Sequence, residues 1–471
     1  MTPDSVSYLT AATTLFSRGP MVDYFGQPYA MWPPLYPVLL AAIRPVVTAA
    51  GIDLVEAIRW LNAATLAATV FLAGCIVRRS VASLFWSTAA VIAIGGAWPL
   101  VSVAARAWSE PLFTLFVVAF LWLLPRCLDD ASYRTALPLA GITALACLQR
   151  YLGVTVALTG VLSIALFASA DTRSKRIRLG AIYAFVSLGP LAIWLGRNLT
   201  LTGSAFGPRA ESSSAAFSRI LELSRLLGTW VAPPRDAATT ALGVLAVALL
   251  IFRVASSRKP APAVLWPPVL LVGLYTLSVL VSATSVALDP IDHVDERLMA
   301  PLYVVLVLIV CLLLSVPPKR PRRAWGPGNV ASAVVVAAWL LWAPLTTLEI
   351  RSTALAQWCC GYSRWQPSPL LGGIKAHSTN AVFLSNVTFP LYAGIESRSL
   401  PPTAEELRRT AQDAGATHVA WFFDDYRNVC GPDERYCYGA RYDIDTLIAS
   451  ETVTVLQRFP DGVLFVLKPG A

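Results

Sequence analysis

Charged residues are scarce in this chain, and their scarcity excludes an ordinary water-soluble protein. Only 14% of the 471 residues are Asp, Glu, Lys or Arg, whereas globular chains carry about 25%. Hydrophobic residues make up 56%, and the mean hydropathy is +0.60. The apolar residues form continuous runs rather than an alternating pattern, which excludes a transmembrane β-barrel. The sequence predicts an all-α polytopic membrane protein whose apolar runs approach the ~18–20 residues that a bilayer requires.

Histidine is also rare, and the cysteines have no zinc-finger spacing. The chain has three histidines and eight cysteines. Four cysteines lie in or beside apolar runs and are predicted to be packing residues: Cys75, Cys127, Cys147 and Cys311. Four others lie in the polar C-terminal region: Cys359, Cys360, Cys430 and Cys437. The stretch "CGPDERYC" can close a short disulfide if that region is exported.

The net charge of +9 does not indicate a nucleic-acid-binding protein, because the basic residues are concentrated in short loops. Short basic loops mark the cytoplasmic side of a membrane protein. They are Arg78-Arg79, "RSKRIR" at 173–178, "RVASSRK" at 253–259 and "KRPRR" at 319–323.

With these loops placed inside the cell, the apolar runs count to about ten crossings, and the C-terminal region lies outside. We predict a multi-pass protein of the plasma membrane with these spans: Val55–Val77, Val81–Leu100, Pro111–Leu124, Ala136–Leu148, Leu152–Ala170, Leu179–Leu195, Ala237–Val254, Val264–Ser285, Met299–Val316 and Val330–Leu345.

The segment Leu35–Val47 is apolar but is predicted to lie on the outer leaflet. It is shorter than a span requires, and Pro37 and Pro45 interrupt it. Arg44 at the bilayer centre would cost ~2.5–3.5 kcal/mol. We interpret the segment as an interfacial helix; a short membrane span is the alternative.

Three parts are predicted along the chain: an external loop with interfacial helices (1–54), a transmembrane domain (55–348) and an extracytoplasmic α/β domain (349–471). The external placement of residues 1–54 requires a segment that exports them, and "MTPDSVSYLTAATTLFSRG" has no signal-peptide pattern. We therefore expect a further transmembrane helix upstream of the recorded start.

The C-terminal part has the pattern of a small soluble α/β domain. "AVFLSN" and "THVAWFF" are predicted strands, and "TVTVLQRF" and "GVLFVLK" are predicted to pair as a hairpin around Pro460-Asp461-Gly462. "TAEELRRTAQDAG" is a predicted helix that is capped by Thr403 and ends at Gly415.

Polar side chains collect at the predicted external ends of the spans. Arginine there suits a phosphate group, since its planar fork binds phosphate oxygens, and a carboxylate near a hydroxyl can act as a general base. The residues are Asp4, Tyr8, Trp32, Arg106, Glu110, Arg150, Tyr151, Arg197, Asn198, Arg209, Asp292, Asp295, Glu296 and Arg297.

Six motifs in order resemble the GT-C fold glycosyltransferases, especially the protein mannosyltransferase and lipid A aminoarabinose transferase type (glycosyltransferase family 39-like). They span about residues 3–320: "TPDSVSYLTAATTLFSRG", "WPPLYP", "SEPLFTLF", "LQRYLGV", "WLGRNLTLTGSAFGPR" and "DERLMAPLY". The resemblance implies transfer of a sugar, with inversion, from a polyprenyl-phosphate donor to a protein, lipid or polysaccharide acceptor outside the cytoplasm.

The resemblance also implies roles for single residues. Asp4 matches the catalytic base or site organiser, and Glu110 matches a second acidic residue of the same cavity. Arg150, Arg197 and Arg297 are candidates for the donor phosphate, with Arg106 and Arg209 as further ones. Tyr8, Trp32 and Asn198 complete the predicted substrate-binding set. Ala30, Met31 and Trp32 stand where the family often has an acidic residue or histidine, which puts a divalent metal ion in doubt.

Other interpretations of these residues and of the whole chain stay open. Asp4 can cap a helix over Val6–Phe16, and Glu110 before Pro111 can simply begin a helix. Trp32 can be an interface anchor, and Arg197 and Arg297 can extend from span ends to the surface. "DHVDER" can be a solvated loop or an internal ion pair. The alternative functions are a transporter or lipid flippase, although few charges lie in mid-span, and a catalytically inactive relative.

Overall fold

The computed structural model describes residues 3–17, 19–170, 172–207, 216–231, 262–284, 294–314, 368–377, 381–387, 395–423 and 442–468. The chain divides into two compact units. The unit called here the mixed unit comprises Met1–Tyr29, Tyr36–Arg59 and Gln357–Ala471, and the helical unit comprises Ala30–Leu35 and Trp60–Ala356. The three-part division predicted from the sequence stays a prediction.

Helices account for most of the described residues. In chain order they are α1 (Pro3–Phe16), α2 (Leu35–Ala49), α3 (Leu54–Val81), α4 (Leu84–Gly95), α5 (Trp98–Ala104), α6 (Glu110–Asp130), α7 (Tyr133–Gln149), α8 (Gly153–Phe167), α9 (Arg173–Thr202), α10 (Ala216–Val231), α11 (Pro262–Thr284), α12 (Glu296–Leu314), α13 (Pro369–His377), α14 (Leu407–Ala414) and α15 (Ile444–Ala449). The strands are β1 (Phe383–Ser385), β2 (Ser397–Ser399), β3 (His418–Phe422), β4 (Val453–Phe459) and β5 (Gly462–Leu467).

Five described helices are long and apolar enough to cross a membrane, namely α3, α6, α9, α11 and α12. A sixth span results if the bent pair α4 and α5 is counted as one. The multi-pass membrane architecture is therefore confirmed, while the count of about ten crossings stays a prediction. Two of the predicted spans, Ala237–Val254 and Val330–Leu345, lie outside the described residues.

The predicted span Val81–Leu100 is two helices rather than one. The axes of α4 and α5 differ by 50°. Gly96 ends α4 by donating its backbone N–H to Ile92 O at 3.0 Å, and Pro99 occupies the first turn of α5. Proline has no N–H to continue a helix and is tolerated in a first turn, so α5 restarts in a new direction.

The core of the helical unit is formed where α7 packs against α6, α8 and α9, and where α12 packs against α4, α5 and α6. Tyr183 of α9 is buried, and its hydroxyl lies 2.8 Å from Thr143 Oγ1 on α7. A Cβ atom at Gly160 of α8 would lie 2.2 Å from Tyr183 Oη, so this contact requires glycine. Cys127, Cys147 and Cys311 are buried free thiols and Cys75 is a half-buried one.

Helix α9 carries basic residues at one end and the predicted site residues Arg197 and Asn198 at the other. Thr172 caps its first turn, where its side chain accepts a hydrogen bond from Lys175 N, and Arg176 follows. The 21 residues from Arg176 to Arg197 rise about 31 Å, close to the ~30 Å thickness of a hydrocarbon core. The two charged ends are therefore separated by one bilayer thickness.

The mixed unit contains a five-stranded sheet of order β2-β1-β3-β5-β4. Strand β1 pairs in parallel with β2 and β3, and β5 pairs in antiparallel with β3 and β4. The predicted strands around β1 and β3 and the predicted hairpin of β4 and β5 are present. Thr403 precedes a 3-10 turn (Ala404–Glu406) and makes no side-chain capping bond there, and α14 begins at Leu407, later than the predicted cap at Thr403 implies.

The N-terminal helices of the mixed unit differ in detail from the predicted ones. Helix α1 begins at Pro3, so Asp4 lies inside its first turn rather than before a helix that starts at Val6. The helix predicted over Leu35–Val47 is present as α2. At 15 residues, α2 is shorter than a membrane span requires. Its Arg44 guanidinium lies 4.9 Å from the centroid of the Phe16 ring.

A tight loop after α1 is held against the edge strand β2. Asp23 Oδ1 accepts the backbone N–H of Phe25 and of Gln27, each at 2.9 Å. Tyr24 is fully buried, its carbonyl accepts from Ser399 N at 3.3 Å, and its hydroxyl donates to Val387 O at 3.3 Å. Burial raises the pKa of Asp23 to about 6, although Arg398 and the two backbone donors oppose the shift.

Candidate functional site

The centre of the candidate site is Glu110, the first residue of α6. Its side chain is 0% exposed. One oxygen, Oε1, accepts hydrogen bonds from Arg150 Nη1 and from Arg297 Nε. Arg150 directly follows α7 and Arg297 is the second residue of α12, so this carboxylate joins the ends of three helices. A carboxylate is also favoured at the positive end of the α6 dipole.

Ser109 links Arg150 to the segment that precedes α6. Its hydroxyl accepts from Arg150 Nη1 at 3.2 Å and lies 3.5 Å from Glu110 Oε2. Its carbonyl accepts from Gln149 Nε2 at 2.9 Å. Ser109 and Gln149 are both buried, so the last residue of α7 and the residue that follows it fix the position of the residue that precedes Glu110.

Trp108 connects a third guanidinium, that of Arg106, to this cluster. The Cζ atoms of Arg106 and Arg297 lie 4.4 and 4.5 Å from the centroid of the Trp108 ring. The indole is 3% exposed. Burial and the nearby charge of Arg297 lower the pKa of Arg106.

Asn62 of α3 holds the backbone of the same segment. Its Nδ2 donates to Arg106 O at 2.6 Å and to Ala104 O at 3.2 Å, and the residue is 1% exposed. The sequence predicted neither Asn62 nor Trp108 as a site residue. The sequence does carry a signal for Asn62, because this residue is an amide within an apolar run. Polar groups in a membrane helix are costly unless they are hydrogen-bonded, so such a residue is expected to have a specific partner.

This arrangement is suited to binding an anion. Arginine forks bind phosphate oxygens with directional, charge-assisted hydrogen bonds. Glu110 holds two guanidiniums in place, and the oxygen that contacts them is a poor proton acceptor while both remain bound. The geometry therefore favours a positioning role for Glu110 over the role of a general base.

Within the described residues, the stretch "DHVDER" supplies a helix cap at Asp295 and an ion pair at Arg297. Asp295 Oδ1 accepts from Leu298 N at 2.9 Å and caps the start of α12. Arg297 belongs to the Glu110 ion pair, which corresponds to the internal ion-pair interpretation of this stretch. Asp292 and Arg209 lie outside the described residues.

A second polar cluster surrounds Asn198, near the end of α9. Its Nδ2 donates to Ala30 O at 3.1 Å and Ala205 O at 3.0 Å, and it lies 3.3 Å from Tyr151 Oη. Its Oδ1 accepts from Arg197 Nη1 at 3.0 Å. Tyr151 Oη also donates to Ala30 O at 3.0 Å. Asn198 is 0% exposed, so its amide is used to hold the 30–35 segment and the turn after α9.

Gly207 allows that turn to approach the same segment. Its φ is +78°, a conformation that side-chain-bearing residues rarely adopt. A Cβ atom there would lie 3.0 Å from Ala30 C and Met31 N. Tyr151 follows Arg150 directly in the chain, so the Asn198 cluster and the Glu110 cluster share one junction, between α7 and α8.

The remaining predicted site residues are distributed between the two units. Arg106, Glu110, Arg150 and Arg297 come together, and Arg197 contacts Asn198 and lies 4.4 Å from the Trp194 ring centroid. Trp32 is half-buried in a bend of the helical unit.

Asp4 and Tyr8 belong to the mixed unit. Tyr8 is 1% exposed and packs edge-on against Tyr36 at 5.1 Å, an environment typical of a core residue.

The described residues contain no group of three or more His, Cys, Asp or Glu side chains that could hold a metal ion. The divalent metal that the resemblance allowed therefore has no support from this part of the chain. The cysteine pairs of the C-terminal region, including Cys430 and Cys437, lie outside the described residues.

Comparison with known proteins identifies the fold. No protein-family model and no curated protein matches the sequence. The solved structures that match over nearly the whole chain include two of one protein. ArnT from Cupriavidus metallidurans in the apo state is 13% identical with a TM-score of 0.57, over 98% of this chain and 93% of that one. The same protein bound to undecaprenyl phosphate is 13% identical with a TM-score of 0.55, over the same shares. ArnT is a GT-C fold glycosyltransferase, and the chain has the GT-C fold that its motifs predicted.

Proposed function

We propose that this chain is a membrane glycosyltransferase that moves a sugar from a polyprenyl-phosphate donor to an acceptor outside the cytoplasm. The observation that carries the proposal is the cluster of Arg106, Arg150 and Arg297 around Trp108 and Glu110. The match of the fold to an ArnT structure that holds undecaprenyl phosphate supports it. The sugar and the class of acceptor (protein, lipid or polysaccharide) are not specified by these residues.

The cluster is proposed to face the extracytoplasmic side of the plasma membrane. Helix α3 ends in Arg78 and Arg79, and α9 begins with Arg173 and Lys175. Basic residues at span ends favour the cytoplasm. The site residue Asn198 lies at the other end of α9, about one bilayer thickness away.

The three arginines are proposed to bind the donor phosphate. Their side chains lie at helix ends, where a lipid phosphate sits when its isoprenoid tail is in the bilayer. Negative charge develops on the phosphate oxygens as the sugar leaves, and preorganised donors stabilise that charge. Glu110 holds two of the guanidiniums before the substrate arrives, so little reorganisation is required.

The proposed reaction is a single displacement at the anomeric carbon. A base takes the proton of the acceptor hydroxyl, and the hydroxyl oxygen forms the new bond to the anomeric carbon. The bond from that carbon to the phosphate oxygen breaks, polyprenyl phosphate leaves with the electron pair, and the configuration inverts. Asp4 is the carboxylate that the motif order assigns as the base.

A transfer assay tests the proposal. Membranes containing the full chain are given radiolabelled polyprenyl-phosphate sugars, and the release of polyprenyl phosphate is measured. We expect release that Asp4→Asn abolishes and that Arg297→Lys lowers about 10²-fold, as loss of one preorganised donor does. Arg59→Lys, at an exposed residue of α3, is the matched control and should be silent.

Each alternative function has its own outcome in that assay. Movement of the lipid across the membrane without release of polyprenyl phosphate would identify a flippase. Binding of the donor without either release or movement would identify an inactive relative. Full activity in both Asp4→Asn and Arg297→Lys would refute the assigned residues.

A further inference from the structure

Trp108 contacts two like-charged side chains that belong to different parts of the helical unit. Arg106 comes from the segment before α6 and Arg297 from α12, and both guanidiniums lie well within the ~6 Å of the ring centroid at which cation–π attraction acts (4.4 and 4.5 Å). The two positive charges repel each other, and the charge of Arg297 contributes to the lowered pKa of Arg106. The negative face of an aromatic ring offsets that repulsion, most strongly where water is excluded, and Trp108 is 3% exposed.

The backbone around Trp108 is fixed independently of its side chain. Trp108 N donates to Arg106 O at 2.9 Å, which closes a tight turn between the two residues. Asn62 Nδ2 donates to the same carbonyl and to Ala104 O. A change at the indole is therefore expected to alter the arginines more than the course of the chain.

Glu110 and Trp108 restrain different pairs of arginines. Glu110 holds Arg150 and Arg297. Trp108 contacts Arg297 and Arg106. Arg297 is therefore common to both, and Trp108 is the side chain that brings Arg106 into the group.

We propose that Trp108 is a positioning residue that aligns Arg106 and Arg297 on one phosphate group of a lipid substrate. This inference rests on the proposed function, and it adds a residue that acts on the phosphate only through the two arginines. A flat ring orients planar guanidiniums as well as attracting them. Phenylalanine at this position retains a smaller π face, and leucine retains none.

The experiment measures binding of undecaprenyl phosphate to the purified full chain in detergent, with undecaprenol as the probe for the tail alone. We expect Trp108→Leu to weaken phosphate binding about tenfold and Trp108→Phe about threefold, with undecaprenol binding unchanged in both. Trp122→Leu is the matched control. Trp122 also contacts two guanidiniums, those of Arg79 at 5.6 Å and Arg126 at 5.3 Å, and it lies twelve residues beyond Glu110 along α6, about 18 Å away.

Four results would overturn the inference, and they can be told apart. A wild-type chain that does not bind undecaprenyl phosphate overturns the proposed function and the inference together. Wild-type affinity in a folded Trp108→Leu variant overturns the inference alone, and so does an equal loss in Trp122→Leu. If Trp108→Leu does not fold, Trp108→Phe is combined with Arg106→Gln. The loss caused by Trp108→Phe should be smaller in the Arg106→Gln background, and an equal loss in both backgrounds overturns the inference.

Discussion

Arg150 and Arg297 donate hydrogen bonds to the same oxygen atom of Glu110, although 147 residues of sequence separate the two arginines. Their side chains are 11% and 17% exposed, and the carboxylate between them is 0% exposed. A single buried negative charge thus holds two positive ones at the ends of two different helices. This relationship makes Glu110 the residue on which the shape of the site depends.

Replacing Glu110 with glutamine should destabilise the protein as well as inactivate it. Two largely buried guanidiniums would lose the buried carboxylate that both contact, and breaking a buried pair costs about 3–5 kcal/mol. Thermal unfolding in detergent measures the effect, with Glu56→Gln as a control at an exposed residue in the first turn of α3. If Glu110 were instead the general base, activity would fall with little change in unfolding temperature.

Replacing Asn198 with alanine should lower stability more than it lowers affinity for the donor. The amide joins Ala30 O, Ala205 O and Tyr151 Oη, and unsatisfied buried groups cost about 1–3 kcal/mol. Asn198→Asp should be at least as harmful, because a carboxylate cannot donate to the two carbonyls. Thr200→Ala, at an exposed position of α9, is the control. A donor-binding defect at unchanged unfolding temperature would support the substrate-binding role predicted from the sequence.

Asp23 should make the stability of the mixed unit depend on pH. Its pKa rises from 3.8 to about 6 in the folded state because burial disfavours the charge. The folded chain therefore binds the proton more tightly than the unfolded chain, and stability should fall as pH rises from 4 to 6 and then level off.

Asp23→Asn isolates this contribution, because the amide oxygen can still accept from Phe25 and Gln27. We expect the variant to be more stable than wild type by about 1–2 kcal/mol at pH 7.5 and equal to it at pH 4. Unfolding temperatures across this pH range test the prediction. A wild-type profile that rises with pH between 4 and 6, with no gain in the variant, would contradict it.

Cysteine labelling should locate the two ends of α9 on opposite sides of the membrane. In a variant of the full chain without its native cysteines, Thr200→Cys should react with an impermeant maleimide on intact cells. Ser174→Cys should react only after permeabilisation, since it lies among the basic residues. Both positions are exposed, so accessibility within the protein is matched. Reversed labelling would place the arginine cluster in the cytoplasm.

The positions of most membrane helices could be predicted from the sequence because the bilayer imposes a length of apolar residues. The predicted span Pro111–Leu124 lies inside α6, for example. The ends were less predictable: α9 begins at Arg173, six residues before the predicted Leu179. Hydropathy reports the part of a helix within the hydrocarbon, and a helix continues beyond it while its backbone bonds are satisfied.

Part of the site could also be predicted, since helix ends on one side of a membrane gather polar groups. Glu110, Arg150 and Arg297 were placed on one face in this way. Their pairing was not predictable, because it depends on how α6, α7 and α12 pack, and apolar runs carry no information on that register. Trp108 was missed for the same reason, whereas Asn62 could have been found as an amide within an apolar run. The strand β2 was missed because its three residues, Ser-Arg-Ser, are polar and yet fully packed.

The Glu110 ion pairs also bear on the order in which a ribosome delivers the chain to the membrane. Arg150 emerges 40 residues after Glu110, whereas Arg297 emerges 187 residues after it. The first arginine can neutralise the acid while α6 and α7 are being inserted, and the second joins only when α12 follows. The proposed phosphate site is therefore completed late in biosynthesis, when α12 has followed α6 and α7.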